Sequence, residues 1–187
     1  QPDEVKKILL NPAGQVAMTG YTMSPDFSIT QNALEPVFGG VANAFLSILD
    51  LKASQLGVGL TYSTYYGGSG GEVAYDLKLD SAGRYYLGGY TLSPDLPVTP
   101  NALSPASDFG GLDGFIAVID STKGAKGLVY ASYITSNGFQ IVYGVDVDST
   151  GNIYVTGLTT SDVFPNASPV NNSPAKYSAF VMTFTLP

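Results

Sequence analysis

Hydrophobic and polar residues follow a strand-like pattern along most of this chain. In residues 74–80 (AYDLKLD) apolar and polar side chains alternate, and residues 4–10 (EVKKILL) place Ile8 and Leu10 on one face. Alternation with a period of two is typical of β-strands, whereas no segment shows a 3.6-residue apolar period over a useful length. Clusters of Gly, Pro, Asn, Asp and Ser separate the predicted strands, as turns require. The pattern predicts an all-β fold with helix limited to short turns.

A tight turn and the strand that follows it occur three times at nearly fixed spacing. The copies are NPAGQVAMTGYT (11–22), DSAGRYYLGGYT (80–91) and DSTGNIYVTGLT (148–159). The turn glycines Gly14, Gly83 and Gly151 lie 69 and 68 residues apart, and the strand glycines Gly20, Gly89 and Gly157 repeat both intervals. A fixed period indicates a repeat architecture.

Each repeat contains the same order of predicted strands. They cover 4–10, 15–22, 44–50 and 60–66, then 74–80, 84–91, 115–120 and 128–134, and finally 143–148, 152–159 and 179–185. Four antiparallel strands form one blade of a β-propeller, so we predict a β-propeller-like segment with blades at 1–71, 72–140 and 141–187. The third blade lacks a fourth strand, and residues 67–71 (GGSGG) are interpreted as a flexible hinge between blades. A β-sandwich is the alternative all-β fold.

Residues that recur at equivalent positions of the repeats are expected to have structural roles. The strand glycines are expected to allow close approach of a neighbouring blade. Asp80 and Asp148 are expected to bond backbone amides in their turns. Phe45, Phe115 and Phe180 are expected in the core.

The long connections between second and third strands supply the candidate ligand-binding residues. Asp26, Asp95 and Asp162 follow a serine in the three connections, and Tyr65 and Tyr66 immediately precede GGSGG. Loops often carry function, but an aspartate repeated in every blade also suits a loop-capping role. Both interpretations remain open for the aspartates. A calcium loop would need carboxylates at alternating positions, which the connections do not have.

Composition argues against several classes of function. The chain has no histidine and no cysteine, which removes imidazole bases, the Ser-His-Asp arrangement and thiolate metal sites. Its net charge of −7 and lack of a basic run argue against nucleic-acid binding. There is no apolar run long enough for a membrane span. GGSGG has no following lysine, so it is not a phosphate loop, and no cofactor is indicated. Carboxylate pairs could perform glycosidase chemistry, but none is distinctive, and we predict that the chain is not an enzyme.

Several segments resemble the bacterial β-propeller repeats called SBBP repeats. The similar runs include LTYSTYYGGSGG (60–71), AYDLKLDSAGRYYLGGYT (74–91), SPDLPVTPNAL (93–103) and GNIYVTGLT (151–159). The third connection departs most, because it is shorter and lacks the Gly-Gly pair. The resemblance implies a propeller fold and a large secreted or surface protein, so we expect an extracellular or cell-surface location.

These observations lead to alternative functions. The first is a non-catalytic propeller module that mediates protein or glycan interaction or adhesion. The second is a structural subunit of a filament or surface layer, assembled through open blade edges. The third is a fragment of a larger secreted hydrolase. Three blades cannot close a ring, so the expected partners are other copies of the chain or the remainder of a longer chain, besides a glycan or protein ligand.

Overall fold

The fold is all-β, as the sequence predicts. A computed structural model describes residues 1–52, 59–108, 111–161, 168–169 and 177–186. Within these ranges the only helical element is a 3-10 turn at Gly124–Lys126. All strand pairs within the sheets are antiparallel.

The strands form three sheets that follow one another along the chain. The first sheet contains β1 (Asp3–Leu10), β2 (Val16–Thr22), β3 (Asn43–Leu49) and β4 (Leu60–Tyr66), paired in that order. The second contains β5 (Glu72–Leu79), β6 (Tyr85–Thr91), β7 (Asp113–Ile119) and β8 (Leu128–Ile134), again in chain order. The third contains β9 (Gln140–Val147), β10 (Asn152–Thr159), β11 (Ser168–Pro169) and β12 (Ser178–Thr185), in the order β11-β12-β10-β9. The prediction of propeller-like blades is confirmed.

The outer edge of the third blade differs from those of the other two. In the described part of the chain no strand follows β12, as the sequence predicts. The two-residue β11, which comes from the connection before β12, pairs with Val181 and Phe180 instead. The sequence gives no sign of β11, because two residues are too few to produce a pattern.

The repeated turns hold the first and second strands of each blade together. Asp80 Oδ1 accepts hydrogen bonds from the N–H groups of Ala82 and Arg84, both at 2.9 Å. Asp148 accepts hydrogen bonds from the two corresponding backbone N–H groups in the third blade. The following glycines have positive φ angles of 76°, 82° and 88° at Gly14, Gly83 and Gly151. Only glycine adopts this conformation without strain, and the prediction for these turns is confirmed.

The first strands of the blades lie together at the centre of the structure. β5 contacts β1, β2 and β3 of the preceding blade, and β9 contacts β5, β6 and β7. Ion pairs link these strands, with Lys7 Nζ 2.9 Å from Asp76 Oδ1 and Lys78 Nζ 2.7 Å from Asp146 Oδ1. The fourth strands, β4 and β8, therefore lie at the outside.

The core fills the two spaces between consecutive blades. One apolar cluster lies between the first and second blades and includes Phe115, and the other lies between the second and third and includes Phe180. Phe45 is also buried, against the ring of Phe27. The predicted core role of the three phenylalanines is confirmed.

A β-bulge in the first strand of each blade explains the repeated strand glycines. The unpaired residues are Lys6, Tyr75 and Tyr143, each located where the ladder register shifts. A Cβ on the facing glycine would overlap a carbonyl oxygen of that same first strand: Gly20 with Glu4, Gly89 with Val73, and Gly157 with Ile141. The glycines thus permit close approach of another strand, but the prediction that this strand belongs to a neighbouring blade is wrong. It is the partner strand of the same blade.

One face of the first blade is open to solvent. Ile8 and Leu10 are 62% and 72% exposed, although Leu77, which occupies the place of Ile8 in the second blade, is only 3% exposed. The difference arises because the first blade covers Leu77, whereas no described sheet covers this face of β1. The sequence correctly places Ile8 and Leu10 on one face, but does not show that the face is open.

Replacing Gly89 with Ala should destabilise the fold by about 3 kcal/mol, because the new methyl group meets backbone rather than a movable side chain. The free energy of unfolding from urea titration measures this. Gly71→Ala is the matched control, since the nearest atom to its added Cβ is Leu92 Cδ1 at 3.9 Å. Equal losses in the two variants would contradict the explanation.

Candidate functional site

Tyr65 and Tyr66 are buried, so they do not form the ligand surface that the sequence suggests. Tyr65 Oη donates a hydrogen bond to the Ser24 carbonyl at 3.1 Å, and Tyr66 Oη donates to the Pro97 carbonyl at 2.8 Å. In the second blade Tyr133 occupies the place of Tyr65 and donates to the Ser93 carbonyl at 2.8 Å. These tyrosines attach the long connections to the fourth strands.

The long connections also cover the outer edges of the fourth strands. The Thr30 N–H donates to the Ser63 carbonyl at 3.0 Å, and the Thr99 N–H donates to the Ala131 carbonyl at 3.1 Å. The threonine hydroxyls accept a bond in return from the N–H groups of the same two residues. Exposed strand edges promote unwanted pairing, so these connections protect β4 and β8. In both connections a threonine lies six residues after the serine that precedes the aspartate. This recurrence was the sequence signal that could have predicted the edge protection.

Asp95 caps the GGSGG segment. Its Oδ1 accepts hydrogen bonds from both the N–H and the hydroxyl of Ser69, each at 2.8 Å. Both bonds lower the pKa of Asp95, and the bond from the backbone N–H has the larger effect. Asp26 lies at the equivalent place in the first connection and is exposed. Asp162 lies outside the described residues.

The GGSGG segment is held more firmly than a flexible hinge would be, and that part of the prediction is wrong. The Gly68 N–H donates to Glu72 Oε2 at 3.0 Å, and the Gly70 N–H donates to the Ser93 hydroxyl at 2.8 Å. A Cβ at Gly70 would lie 2.7 Å from the Leu92 carbonyl carbon. The glycines therefore allow the segment to lie flat against the second blade.

Two carboxyl groups, the half-buried Glu35 and the buried Glu72, lie under this segment. Glu35 Oε2 accepts the Gly67 N–H at 3.0 Å, next to the bond between Gly68 and Glu72. Glu72 also accepts hydrogen bonds from the hydroxyls of Thr91, at 2.7 Å, and Ser93. Burial raises the pKa of Glu35 to about 8, and burial also raises the pKa of Glu72 despite these bonds. Both groups serve to hold the junction between the first two blades.

A second group of residues, which the sequence reasoning missed, lies where the first strands converge. The bulge residues Lys6, Tyr75 and Tyr143 meet there with Tyr21 and Tyr90 from the second strands. The Tyr75 ring centroid is 5.2 Å from that of Tyr143 and 6.0 Å from that of Tyr90. Lys6 Nζ is 5.8 Å from the centroid of Tyr21 and 5.7 Å from that of Tyr75. We call these five residues the axial tyrosine cluster.

The axial tyrosine cluster is only partly covered. Tyr143 is 49% exposed, and the other three tyrosines are half-buried. Burial is the main cause that raises the pKa of Tyr75 and of Tyr90. Lys6 Nζ pairs with Glu4 Oε1 at 2.7 Å. The cluster thus offers aromatic faces, phenol groups and one ammonium group to solvent. Tyr75 and Tyr143 recur at the repeat interval, and this recurrence was a sequence signal for the cluster. The bulge that brings the two tyrosines together has no sequence signal.

The described residues offer little to other kinds of site. They contain no group of three or more acidic, histidine or cysteine side chains arranged to hold a metal ion. They also contain no helix of the length and apolarity needed to cross a membrane.

Glu35→Gln should change how stability depends on pH. The pKa of Glu35 rises on folding, so its protonation favours the folded state fully below about pH 4.5, and this contribution is lost as pH rises through about 8. We expect thermal midpoints of the Gln variant to fall less than those of the wild type between pH 5 and about 9. The exposed Asp26→Asn variant is the control and should follow the wild type. Parallel curves for Glu35→Gln and wild type would contradict the assignment.

Comparison with known sequences agrees with the architecture. A search of curated proteins returned no match. The sequence model of the SBBP beta-propeller repeat matches residues 129–165. This stretch begins in β8 and continues through β9 and β10, so the matched unit crosses the junction between the second and third blades. The match supports the resemblance seen in the sequence: residues 129–165 are similar to a repeat of the SBBP beta-propeller family, and the three sheets are propeller-like blades.

Proposed function

We propose that this chain is a non-catalytic module of an extracellular or cell-surface propeller that binds a protein or glycan ligand. The axial tyrosine cluster is the observation that carries this proposal. It is a partly exposed aromatic surface at the convergence of three blades, where residues from different repeats meet. A ligand site built from several blades can be specific, because each blade contributes a different residue.

The chemistry of the cluster suits an amphipathic ligand. Tyrosine presents an apolar ring and a hydroxyl group, and it is common where one side of a contact is dry and the other wet. Sugar rings and extended peptides both offer apolar surface bordered by polar groups. Lys6 and Glu4 lie 2.7 Å apart at the edge of the cluster and can bond such groups. The cluster is less suited to a phosphate ligand, because its one ammonium group, that of Lys6, already pairs with Glu4.

Tyr143 is the best position to test. Its ring is the most exposed of the cluster, so Tyr143→Ala should leave the fold intact and weaken binding about tenfold or more, as loss of an aromatic contact at the centre of a site does. Glycan arrays and immobilised extracellular-matrix proteins provide the ligands, and titration of each hit gives the dissociation constant.

Tyr154→Ala is the matched control for that experiment. Tyr154 is 42% exposed, close to the exposure of Tyr143, but lies outside the cluster and bonds Asp148. Binding should persist in this variant. Equal affinity of Tyr143→Ala and wild type, or the absence of any ligand, would refute the proposal.

The open face of β1 favours a second function, that of a structural subunit. Ile8 and Leu10 would be covered if a blade of another copy packed there, as the first blade covers Leu77. Burying two such side chains favours association by roughly 3 kcal/mol or more. Assembly of copies would then complete the propeller or extend it.

This alternative predicts concentration-dependent assembly that depends on the open face. Light scattering of the wild type should show particles larger than 19.5 kDa as concentration rises. The double variant Ile8→Ser, Leu10→Ser should remain monomeric over the same range. Val37→Ser, at a residue that is 75% exposed in a connection, should assemble like the wild type. A monomeric wild type at every concentration would exclude this function.

A further inference from the structure

The most informative feature outside the axial tyrosine cluster is a group of polar residues that each blade presents at the start of its first strand. In the second blade it consists of Glu72, Thr91, Ser93 and Asp95. The Thr91 hydroxyl donates to Glu72 at 2.7 Å and accepts the Ser93 N–H at 2.9 Å. We call this arrangement the junction cradle, because GGSGG lies in it.

The cradle recurs in the third blade with a different segment in it. Gln140 and Thr159 replace Glu72 and Thr91, and the Ser161 N–H again bonds the threonine hydroxyl, at 3.0 Å. Gln140 Oε1 accepts the Ser136 N–H at 3.2 Å from the segment that joins the second and third blades. Two cradles are therefore occupied by the chain segment that enters their blade.

The first blade contains the same cradle. The Thr22 hydroxyl donates to Asp3 Oδ1 at 2.5 Å and accepts the Ser24 N–H at 3.0 Å. Asp26 is in the place of Asp95, which binds Ser69, and both aspartates are exposed. The Met23 N–H donates to the Pro2 carbonyl at 3.1 Å, just as the Leu92 N–H donates to the Gly71 carbonyl at 2.9 Å.

We propose that the cradle formed by Asp3, Thr22, Ser24 and Asp26 is a binding site for a glycine- and serine-rich loop of the Gly-Gly-Ser-Gly type, carried by a blade that packs on the first blade. The segment GGSGG at residues 67–71 already occupies the second cradle, so the occupant is a different segment of the same chemistry. The same blade would cover Ile8 and Leu10.

The geometry of the second cradle explains why the segment in it is rich in glycine. A Cβ at Gly68 would lie 2.6 Å from Ser93 Cβ, and a Cβ at Gly70 would lie 2.7 Å from the Leu92 carbonyl carbon. The third cradle, which has Gln140 at the place of Glu72, holds Ser136 at the place of Gly68 and keeps glycine only at Gly138. The first cradle has the acidic Asp3 at this place, as the second has Glu72, so its occupant should follow the glycine pattern of the second. A serine between the glycines adds a hydroxyl donor for Asp26, as Ser69 does for Asp95.

The first experiment places such a segment next to the cradle in the full chain. Gln1-Pro2 is replaced with Tyr-Gly-Gly-Ser-Gly-Gly, which aligns the last glycine with Gly71. The matched control carries Tyr-Gly-Ala-Ser-Ala-Gly, whose methyl groups occupy the two crowded positions. We expect the glycine version to melt about 2–4 °C above the control, a shift that corresponds to a few new hydrogen bonds in a protein of this size. Its added amides should also resist hydrogen exchange.

The second experiment tests whether the cradle causes the difference. Asp26→Ala should remove at least half of the gain in the glycine version and change the midpoint of the original chain by about 1 °C or less, as exposed substitutions usually do. Asp95→Ala in the original chain should lower the midpoint, because that cradle is occupied. Equal midpoints of the glycine and alanine versions would overturn the proposal. The proposal would also be overturned if Asp26→Ala changed the melting midpoint by the same amount with and without the added segment. Neither result depends on whether the axial tyrosines bind a ligand.

Discussion

The close contact between each strand glycine and the first strand of its blade is the constraint on which the rest of the structure depends. Because Gly20, Gly89 and Gly157 have no side chain, the first strand can carry a bulge directly opposite. A bulge adds a residue, bends the strand and increases its twist. That extra residue is Lys6, Tyr75 or Tyr143, and these three side chains approach one another at the centre. The repeated glycine thus permits the bend of each first strand and brings the bulge residues into the axial tyrosine cluster.

The sequence allows most of the fold to be predicted, because the determinants of strands and turns are local. The three turn glycines, for example, have the positive φ angles that their position in a hairpin requires. The site could be predicted only in part, since its determinants lie far apart in the chain. Tyr65 and Tyr66 read as exposed aromatic residues near a loop, yet the long connections cover them. Nothing near Tyr75 in sequence shows that it meets Tyr143 from the next blade. The GGSGG segment is locally consistent with a hinge, and only the partners Glu72, Ser93 and Asp95 make it rigid.

The junctions between blades are more specific than the sheets themselves. Within a sheet most bonds are backbone ladders, which any strand-forming sequence can make. At the first junction, by contrast, Glu35, Glu72 and Asp95 each bind a particular N–H group of GGSGG. Burying a carboxyl group such as that of Glu72 is unfavourable unless hydrogen bonds compensate, and a misplaced blade would remove the bond that Glu72 accepts from Gly68. The cost of incorrect docking therefore favours the observed arrangement of the first two blades.

The segment matched by the family model has a physical reason to cross a blade boundary. A blade alone leaves apolar residues such as Leu77 exposed on one face and an empty cradle at the start of its first strand. A unit made of an outer strand, a joining segment and the next two strands contains both sides of the contact. Within the matched stretch, the Ser136 N–H of the joining segment donates to Gln140 Oε1 at the start of the next blade. Repeats of this kind should therefore be compared junction by junction, and differences in ligand binding should be sought at the bulge positions, where side chains of different blades meet at the axis.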